Sequence, residues 1–231
     1  MSLQSTWISL EDAKRALYSG TGRGIRIAVI DSGVELDHPS LNHLRLEDDL
    51  AFSVNRESIV QRTPGWGKDM YGHGTAVAYA ILRAAPEAQL GSFRVLDSKL
   101  SSKFAIIEEA VMTAIDRGYK IINCSFGSRA KLDTIGHFKV WVDYAYRQGV
   151  HVVSACNNSH FRDPEWPGHF PSVITVNMAS TTRDDLFFRW DPSSVPRRHL
   201  VEFAARGVDL ELPWKSKQLV RQTGSSFAAP H

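Results

Sequence analysis

Four side chains of this sequence have the types that acyl-transfer chemistry requires. Ser226 lies in a Gly-Ser-Ser run that opens a stretch of small residues, and His73 lies between two glycines ahead of an alanine-rich stretch. Asp31 follows the apolar run Ile-Arg-Ile-Ala-Val-Ile, and Asn157 follows another apolar run. A serine hydroxyl is a weak nucleophile that needs a base within hydrogen-bond reach, and an imidazole suits that task near neutral pH.

The other two groups would meet further needs of this chemistry. A buried carboxylate such as that of Asp31 fixes the tautomer of the imidazole and stabilises its charged form. Attack on an amide carbonyl builds negative charge on oxygen, which the side-chain amide of Asn157 and the backbone N–H of Ser226 would receive. Each residue alone also has an ordinary interpretation as a loop, cap or surface residue. The chemistry is therefore indicated only if the fold brings the four residues together.

Alternating strands and helices are predicted to position these residues. Strands are predicted at residues 25–30, 89–96, 119–124, 150–155 and 173–177, and helices at residues 8–19, 76–85, 102–117 and 134–148. Such alternation predicts an α/β fold with a mostly parallel sheet, right-handed crossovers and flanking helices. Because ligands of such sheets bind at the carboxyl ends of strands, Asp31, Asn157 and residues 125–127 are expected at one edge.

The remaining segments have weaker patterns. Residues 34–60 are predicted to be a polar, acidic loop region whose Glu-Asp-Asp run is a solvated surface, with calcium binding as a weaker alternative. Residues 187–190 and 200–204 are predicted to form an antiparallel pair. Residues 210–220 are predicted to be a loop and a short strand that lead to Gly224, where a glycine lets the backbone turn tightly.

Composition excludes several classes of function. The formal net charge of +2 is too small to predict nucleic acid or an acidic membrane as a partner. No apolar run has the length of about 20 residues that spans a bilayer, and no secretory signal is visible, so a cytoplasmic protein is expected. The alternative is a secreted protein whose leader is missing from this sequence. The two cysteines, Cys124 and Cys156, form neither a disulfide framework nor a metal cluster, and each is interpreted as a small buried hydrophobe.

Taken in order, the motifs resemble those of the subtilisin-like serine proteases (subtilases, peptidase family S8). The matching segments are residues 27–33 for the Asp motif, 72–75 for the His motif, 224–231 for the Ser motif, and 122–127 and 154–158 for the pocket and oxyanion segments. Ser225 and Phe227 stand where threonine and methionine are usual. The resemblance implies a three-layer subtilisin-like fold and a serine endopeptidase that works through an acyl-enzyme. It implies Asp31 as orienter, His73 as base, Ser226 as nucleophile and Asn157 as oxyanion donor, without a cofactor.

The same resemblance implies where a peptide or protein substrate lies. An extended peptide would pair as an added strand between two segments, one made of Lys99, Leu100 and Ser101 and the other of Ser125, Phe126 and Gly127. Cys156 stands where glycine is usual and is expected to narrow the primary pocket, which is predicted to be modest and apolar. The stretch 80–88 is short and lacks the calcium loop common in the family, so no calcium is predicted there.

Two expectations concern the chain as a whole. Residues 1–231 are predicted to form one peptidase domain, truncated within the helix that Ser226 opens, because family members continue beyond the position of His231. The alternative to a hydrolase is a non-hydrolytic relative, either a peptide transpeptidase or macrocyclase or a silent peptide-binding module. All four predicted catalytic residues are present, which favours a catalytic protein over a silent peptide-binding module.

Overall fold

A computed structural model of the chain describes residues 9–129, 131–160, 163–181, 187–188, 201 and 203–231. The helices are Leu10–Ser19 (α1), His73–Ala84 (α2), Phe104–Asp116 (α3), Leu132–Arg147 (α4) and Ser225–Ala228 (α5). The strands are Arg26–Asp31 (β1), Asp48–Val54 (β2), Val60–Pro64 (β3), Gln89–Arg94 (β4), Ile121–Cys124 (β5), His151–Ala155 (β6), Val173–Ala179 (β7), Phe187–Phe188 (β8), Phe203–Arg206 (β9), Leu210–Trp214 (β10) and Gln218–Gln222 (β11).

The first nine strands form one sheet in the order β3-β2-β4-β1-β5-β6-β7-β9-β8. The seven strands from β2 to β9 in that order are parallel, and the edge strands β3 and β8 run antiparallel to their neighbours. After β1 the chain forms β2, β3 and β4 on one side of it, and it later forms β5 on the other side. This reversal makes β1 the switch point of the sheet, where ligand sites of open α/β sheets occur.

The side chains of strand β1 show that the sheet is covered on both faces. Ala28 and Ile30 belong to the core on the side of α3 and α4, whereas Ile27 and Val29 belong to the core on the side of α2. Successive side chains of a strand point to opposite faces, so a strand buried on both faces is apolar throughout. The predicted α/β fold of three layers, with a mostly parallel central sheet between helices, is therefore confirmed.

Two segments differ from the sequence-based prediction. Residues 34–60 are not merely a loop region, because they contain β2 and lead into β3, which pair with each other antiparallel. Residues 210–220 contain β10 and most of β11, which form a separate two-stranded hairpin. The antiparallel pair expected at residues 187–190 and 200–204 is present as β8 and β9, and residues 189, 190, 200 and 202 of that prediction lie outside the described residues.

The acidic run near residue 48 has structural partners. Asp48 accepts hydrogen bonds from Arg117 and, at 2.8 Å, from the hydroxyl of Tyr119, while Asp49 accepts one from the Gly67 N–H at 2.6 Å. In the described part of the chain, no group of three or more His, Cys, Asp or Glu residues is placed to hold a metal ion. None of the helices described is long and apolar enough to cross a bilayer.

Candidate active site

The predicted site residues lie at the carboxyl edge of three neighbouring strands. Asp31 ends β1, Ser125 directly follows β5, and Asn157 lies two residues beyond the end of β6. Because β1, β5 and β6 are adjacent and parallel, these positions share one edge of the sheet. The expectation that strand ends collect the polar side chains is confirmed at this edge.

Asp31 and His73 are in direct contact. The His73 Nδ1 atom lies 2.9 Å from Oδ1 and 3.0 Å from Oδ2 of Asp31. Asp31 is fully buried and also accepts the N–H of Ser32 at 2.7 Å, whereas His73 is 8% exposed. A carboxylate on Nδ1 leaves Nε2 as the nitrogen that can accept a proton, which is the arrangement a general base needs.

The glycines on both sides of His73 are required by close packing. Gly72 has φ +117°, and a Cβ atom there would lie 2.5 Å from the indole ring of Trp214. A Cβ atom at Gly74 would overlap the carbonyl oxygen of Gly33, in the turn after β1. Helix α2 therefore begins directly against the end of β1, and this approach brings the His73 ring to Asp31.

A second buried carboxylate, Asp69, holds the start of α2 and was missed as a functional residue in the sequence. Its Oδ1 accepts the N–H groups of Tyr71 and Gly72 and the hydroxyl of Ser32, and its Oδ2 accepts the N–H and hydroxyl of Thr75, all at 2.6–2.9 Å. These bonds cap orphan N–H groups of the helix and place negative charge at its positive end. Its position four residues before His73 was the available signal.

These two carboxylates shift the titration of His73. Burial lowers the pKa of the imidazole, but the charge of Asp31, the hydrogen bond to Asp31 and the charge of Asp69 outweigh it. The pKa of His73 is therefore raised above its ordinary value. A base with a raised pKa takes a proton more readily, and it becomes available only at correspondingly higher pH.

Ser226 lies in the first turn of α5, beside the end of β5. Its hydroxyl donates to the carbonyl oxygen of Ser125 at 3.0 Å, and its own carbonyl oxygen accepts the Ser125 hydroxyl at 2.9 Å. No hydrogen bond joins Ser226 to His73 among the described residues. The next residue, Phe227, does contact His73, because the two ring centroids lie 5.2 Å apart.

Asn158 fixes the helix that carries Ser226. Its Oδ1 atom accepts both the N–H and the hydroxyl of Ser225, at 2.8 Å and 2.9 Å, and the Ser225 hydroxyl also contacts the Cys156 carbonyl oxygen at 2.6 Å. Gly224 does not make the predicted tight turn. Its φ of 173° is extended backbone, and an added Cβ atom would meet only ordinary contacts. The position of Ser226 thus depends on the partners of Ser225 rather than on a glycine turn.

The side-chain amide of Asn157 is engaged by a residue that the sequence did not single out. Its Nδ2 donates to Oε1 of Glu165 at 2.9 Å, and its Oδ1 accepts the N–H groups of Ser159 and His160 at 2.8 Å and 2.9 Å. The accepted bonds fix the amide orientation, with the donor turned toward Glu165. Asn157 is buried at 3% exposure.

The two predicted substrate segments differ in their backbone. Lys99, Leu100 and Ser101 form a turn in which the N–H groups of Lys99 and Ser101 both donate to Oδ1 of Asp97. Pairing of a substrate strand through those two N–H groups would require the bonds to open. Residues 99–101 lie beside a cleft of about 480 Å³, which is lined by Ser101, Leu96 and Met70 among others.

Residues 125–127 are more open to a partner strand. Within the described residues, no backbone hydrogen bond engages Phe126 or Gly127, and Gly127 is exposed. Cys156 is buried, and its thiol contacts the Asn177 side-chain oxygen at 3.3 Å. Both cysteines are buried free thiols, and burial raises the pKa of Cys124. The modest apolar pocket stays a prediction, and the carboxylate of Glu165 lies beside Gly127 and lines a small cavity with Cys156.

Comparison with known proteins agrees with this geometry. Residues 22–231 match the family model described as the subtilase family, peptidase S8. Thermitase of Thermoactinomyces vulgaris is 30% identical over 216 residues, which are 91% of this chain and 72% of thermitase. A thermostable alkaline protease of Halalkalibacterium halodurans is 27% identical over 220 residues, covering 91% of this chain and 55% of that protein.

A solved structure shares the fold as well. The psychrophilic protease S41 superposes with a TM-score of 0.74 at 29% identity, covering 91% of this chain and 75% of that chain. Fold, sheet-edge site and sequence together define a serine endopeptidase domain, a hydrolase of peptide bonds. The chain belongs to the subtilase family. It spans about half the length of several curated relatives and about three quarters of others.

Proposed function

We propose that this chain cleaves internal peptide bonds through an acyl-enzyme on Ser226, with His73 as general base and acid and Asp31 as its orienting carboxylate. The observation that carries the proposal is the contact of His73 Nδ1 with both oxygens of buried Asp31, beside the helix that bears Ser226. A buried carboxylate stabilises the imidazolium that forms when the serine loses its proton.

The proposal requires the Ser226 hydroxyl to exchange its present acceptor for His73. The Ser226 hydroxyl donates to the Ser125 carbonyl oxygen, so it must turn about its Cα–Cβ bond to donate to His73 Nε2 instead. Ser226 is only partly buried, so its side chain is free to change between staggered rotamers, and catalytic hydrogen bonds commonly tighten only once substrate is bound. After attack, His73 passes the proton to the leaving amine, and water then releases the acyl group by the reverse sequence of proton transfers.

The oxyanion is assigned to Asn157 and to the backbone N–H of Ser226. Two oxygen contacts hold the Asn157 amide group rigidly, so its Nδ2 is a preorganised donor once Glu165 releases it. Such a donor is worth about 10²–10³ in turnover, a figure measured for the corresponding group of subtilisin. The substrate is a peptide or protein in extended form along Phe126 and Gly127, whose backbone groups are open to strand pairing.

Mass spectrometry of products from a peptide panel tests this function. The full chain is expected to give linear fragments with free amino and carboxyl termini, and Ser226→Ala is expected to give none above the uncatalysed background. Exclusively rejoined or cyclic products would contradict hydrolysis and favour a transpeptidase. Fragments produced equally by Ser226→Ala would contradict the assignment of the nucleophile.

A further inference from the structure

Glu165 lies between two groups to which the proposed function assigns substrate contacts. Its Oε1 atom accepts the Asn157 amide at 2.9 Å. Its other oxygen lies against the backbone of Gly127, because a Cβ atom built on that glycine would be only 2.6 Å from Oε2 and 3.1 Å from the Glu165 Cβ. The carboxylate therefore stands where a substrate side chain would enter from a strand along Gly127.

The space around Glu165 is almost filled. The cavity that it lines together with Cys156, Asn157 and Gly168 has a volume of about 10 Å³, which is about the room that one water molecule needs. The Glu165 side chain is 22% exposed. Any large side chain would thus have to move the Glu165 carboxylate, and a cationic one would gain a partner in it, whereas an apolar one would not.

Among the described residues, the carboxylate of Glu165 has little compensating charge. Arg129 is 3.7 Å away and itself mostly exposed, so solvent weakens its attraction. Asp163 adds negative charge nearby and has its own neighbour in His160, at 3.5 Å. Burial raises the pKa of Glu165, Asp163 raises it further, and Arg129 opposes both. A partly desolvated carboxylate of this kind attracts a guanidinium or ammonium that can reach it.

We propose that Glu165 selects peptides with Arg or Lys at the residue whose carbonyl carbon is attacked, and that pairing with this cation frees the Asn157 amide for the carbonyl oxygen. This inference rests on the proposed function of the same site. The cation replaces the amide as the partner of the carboxylate, so Nδ2, held in place by the bonds that Oδ1 accepts, becomes free to donate to the developing oxyanion. A substrate with a neutral side chain leaves the Asn157–Glu165 bond intact and gains less from the oxyanion donor.

This coupling predicts an effect on turnover as well as on binding. Interactions that become available only in the transition state raise kcat, whereas uniform binding lowers KM alone. A cationic substrate should therefore exceed its neutral counterpart in kcat. Glu165 is a specificity-determining residue in this account, and Asn157 remains the donor.

The test compares two chromogenic peptide substrates that differ only in arginine versus citrulline, its neutral isostere, at the residue before the scissile bond. The full chain at pH 8 is expected to prefer arginine at least about tenfold in kcat/KM, with kcat contributing. Glu165→Gln keeps the shape and an acceptor for Asn157, and it is expected to bring the ratio close to one. Arg129→Gln removes the competing cation and is expected to increase the preference.

Controls separate this inference from folding and from the proposed function. Asp143→Asn removes one exposed negative charge on α4 and should leave the ratio unchanged, and thermal unfolding checks that each variant is folded. An equal ratio for the full chain and Glu165→Gln would overturn the role of Glu165 even where citrulline peptides are cleaved and Ser226 reacts with a fluorophosphonate. If neither peptide is cleaved and Ser226 is not labelled, the proposed function fails and the inference fails with it.

Discussion

In the proposed mechanism, His73 accepts and donates the proton. Two buried carboxylates act on it, Asp31 by direct contact and Asp69 across the start of α2. Asp31, His73, Ser226 and Asn157 were identifiable in the sequence because their motifs are local. Their partners were not, since the Asn157–Glu165 and Ser225–Asn158 hydrogen bonds depend on packing that no short motif records.

The pH dependence of cleavage tests the assignment of His73. Its pKa is raised, and the base works only when neutral, so kcat/KM on an uncharged peptide should be lost as pH falls through that pKa. The inflection is expected above about 6.5, the ordinary value for histidine. Asp31→Asn should lower the inflection and reduce kcat by about 10⁴, as the same change does in a related triad. An inflection at or below 6.5 in the unchanged chain would contradict the described contacts.

Among the secondary-structure elements, α2 and β1 approach each other closely because glycines at the contact have no side chains. Gly74 lies in the first turn of α2 against the Gly33 carbonyl oxygen, and Asp69 caps the same turn. The sequence predicted this helix and the strand before it, because small residues and a continuous apolar run are strong signals. The exact approach of the two elements is a packing property that the pattern indicates only through its glycines.

Two glycine substitutions test the close contact between α2 and the end of β1, one at the contact and one away from it. Gly74→Ala should cost about 1–3 kcal/mol of stability, because its Cβ atom overlaps backbone rather than a flexible side chain. Gly136→Ala lies in the exposed face of α4 with nothing within 4 Å, so it should stabilise by about 0.5–1 kcal/mol. The measurement is the free energy of unfolding in denaturant. Equal effects of the two changes would contradict the close packing of α2 on β1.

The elements missed in the sequence have long-range partners. Hairpin β10–β11 turns through Ser216 and Lys217, both with positive φ and neither glycine nor asparagine. The turn is held because the Glu35 carboxylate accepts both of their N–H groups, at 3.0 Å and 3.1 Å. Strand β2 likewise begins with acidic residues whose partners are distant in the chain. Local turn signals therefore could not reveal either element.

At the scale of the molecule, the sheet order assembles the site. Because β1 lies between β4 and β5, the ends of β1, β5 and β6 bring residues more than 120 positions apart to one edge. Helix α5 then reaches that edge through Phe227, which packs with Ala76 of α2 and with Leu210 and Leu212 of the hairpin. The alternation of strands and helices predicted the parallel sheet, whereas the edge strand β3 was not predicted.

Mapping of a covalent adduct would identify the nucleophile. The full chain is treated with a fluorophosphonate, and tandem mass spectrometry locates the modified residue. We expect one adduct, on Ser226, with labelling reduced by orders of magnitude in His73→Ala and absent in Ser226→Ala. An adduct on another residue, or undiminished labelling of Ser226 in a folded His73→Ala variant, would contradict this expectation.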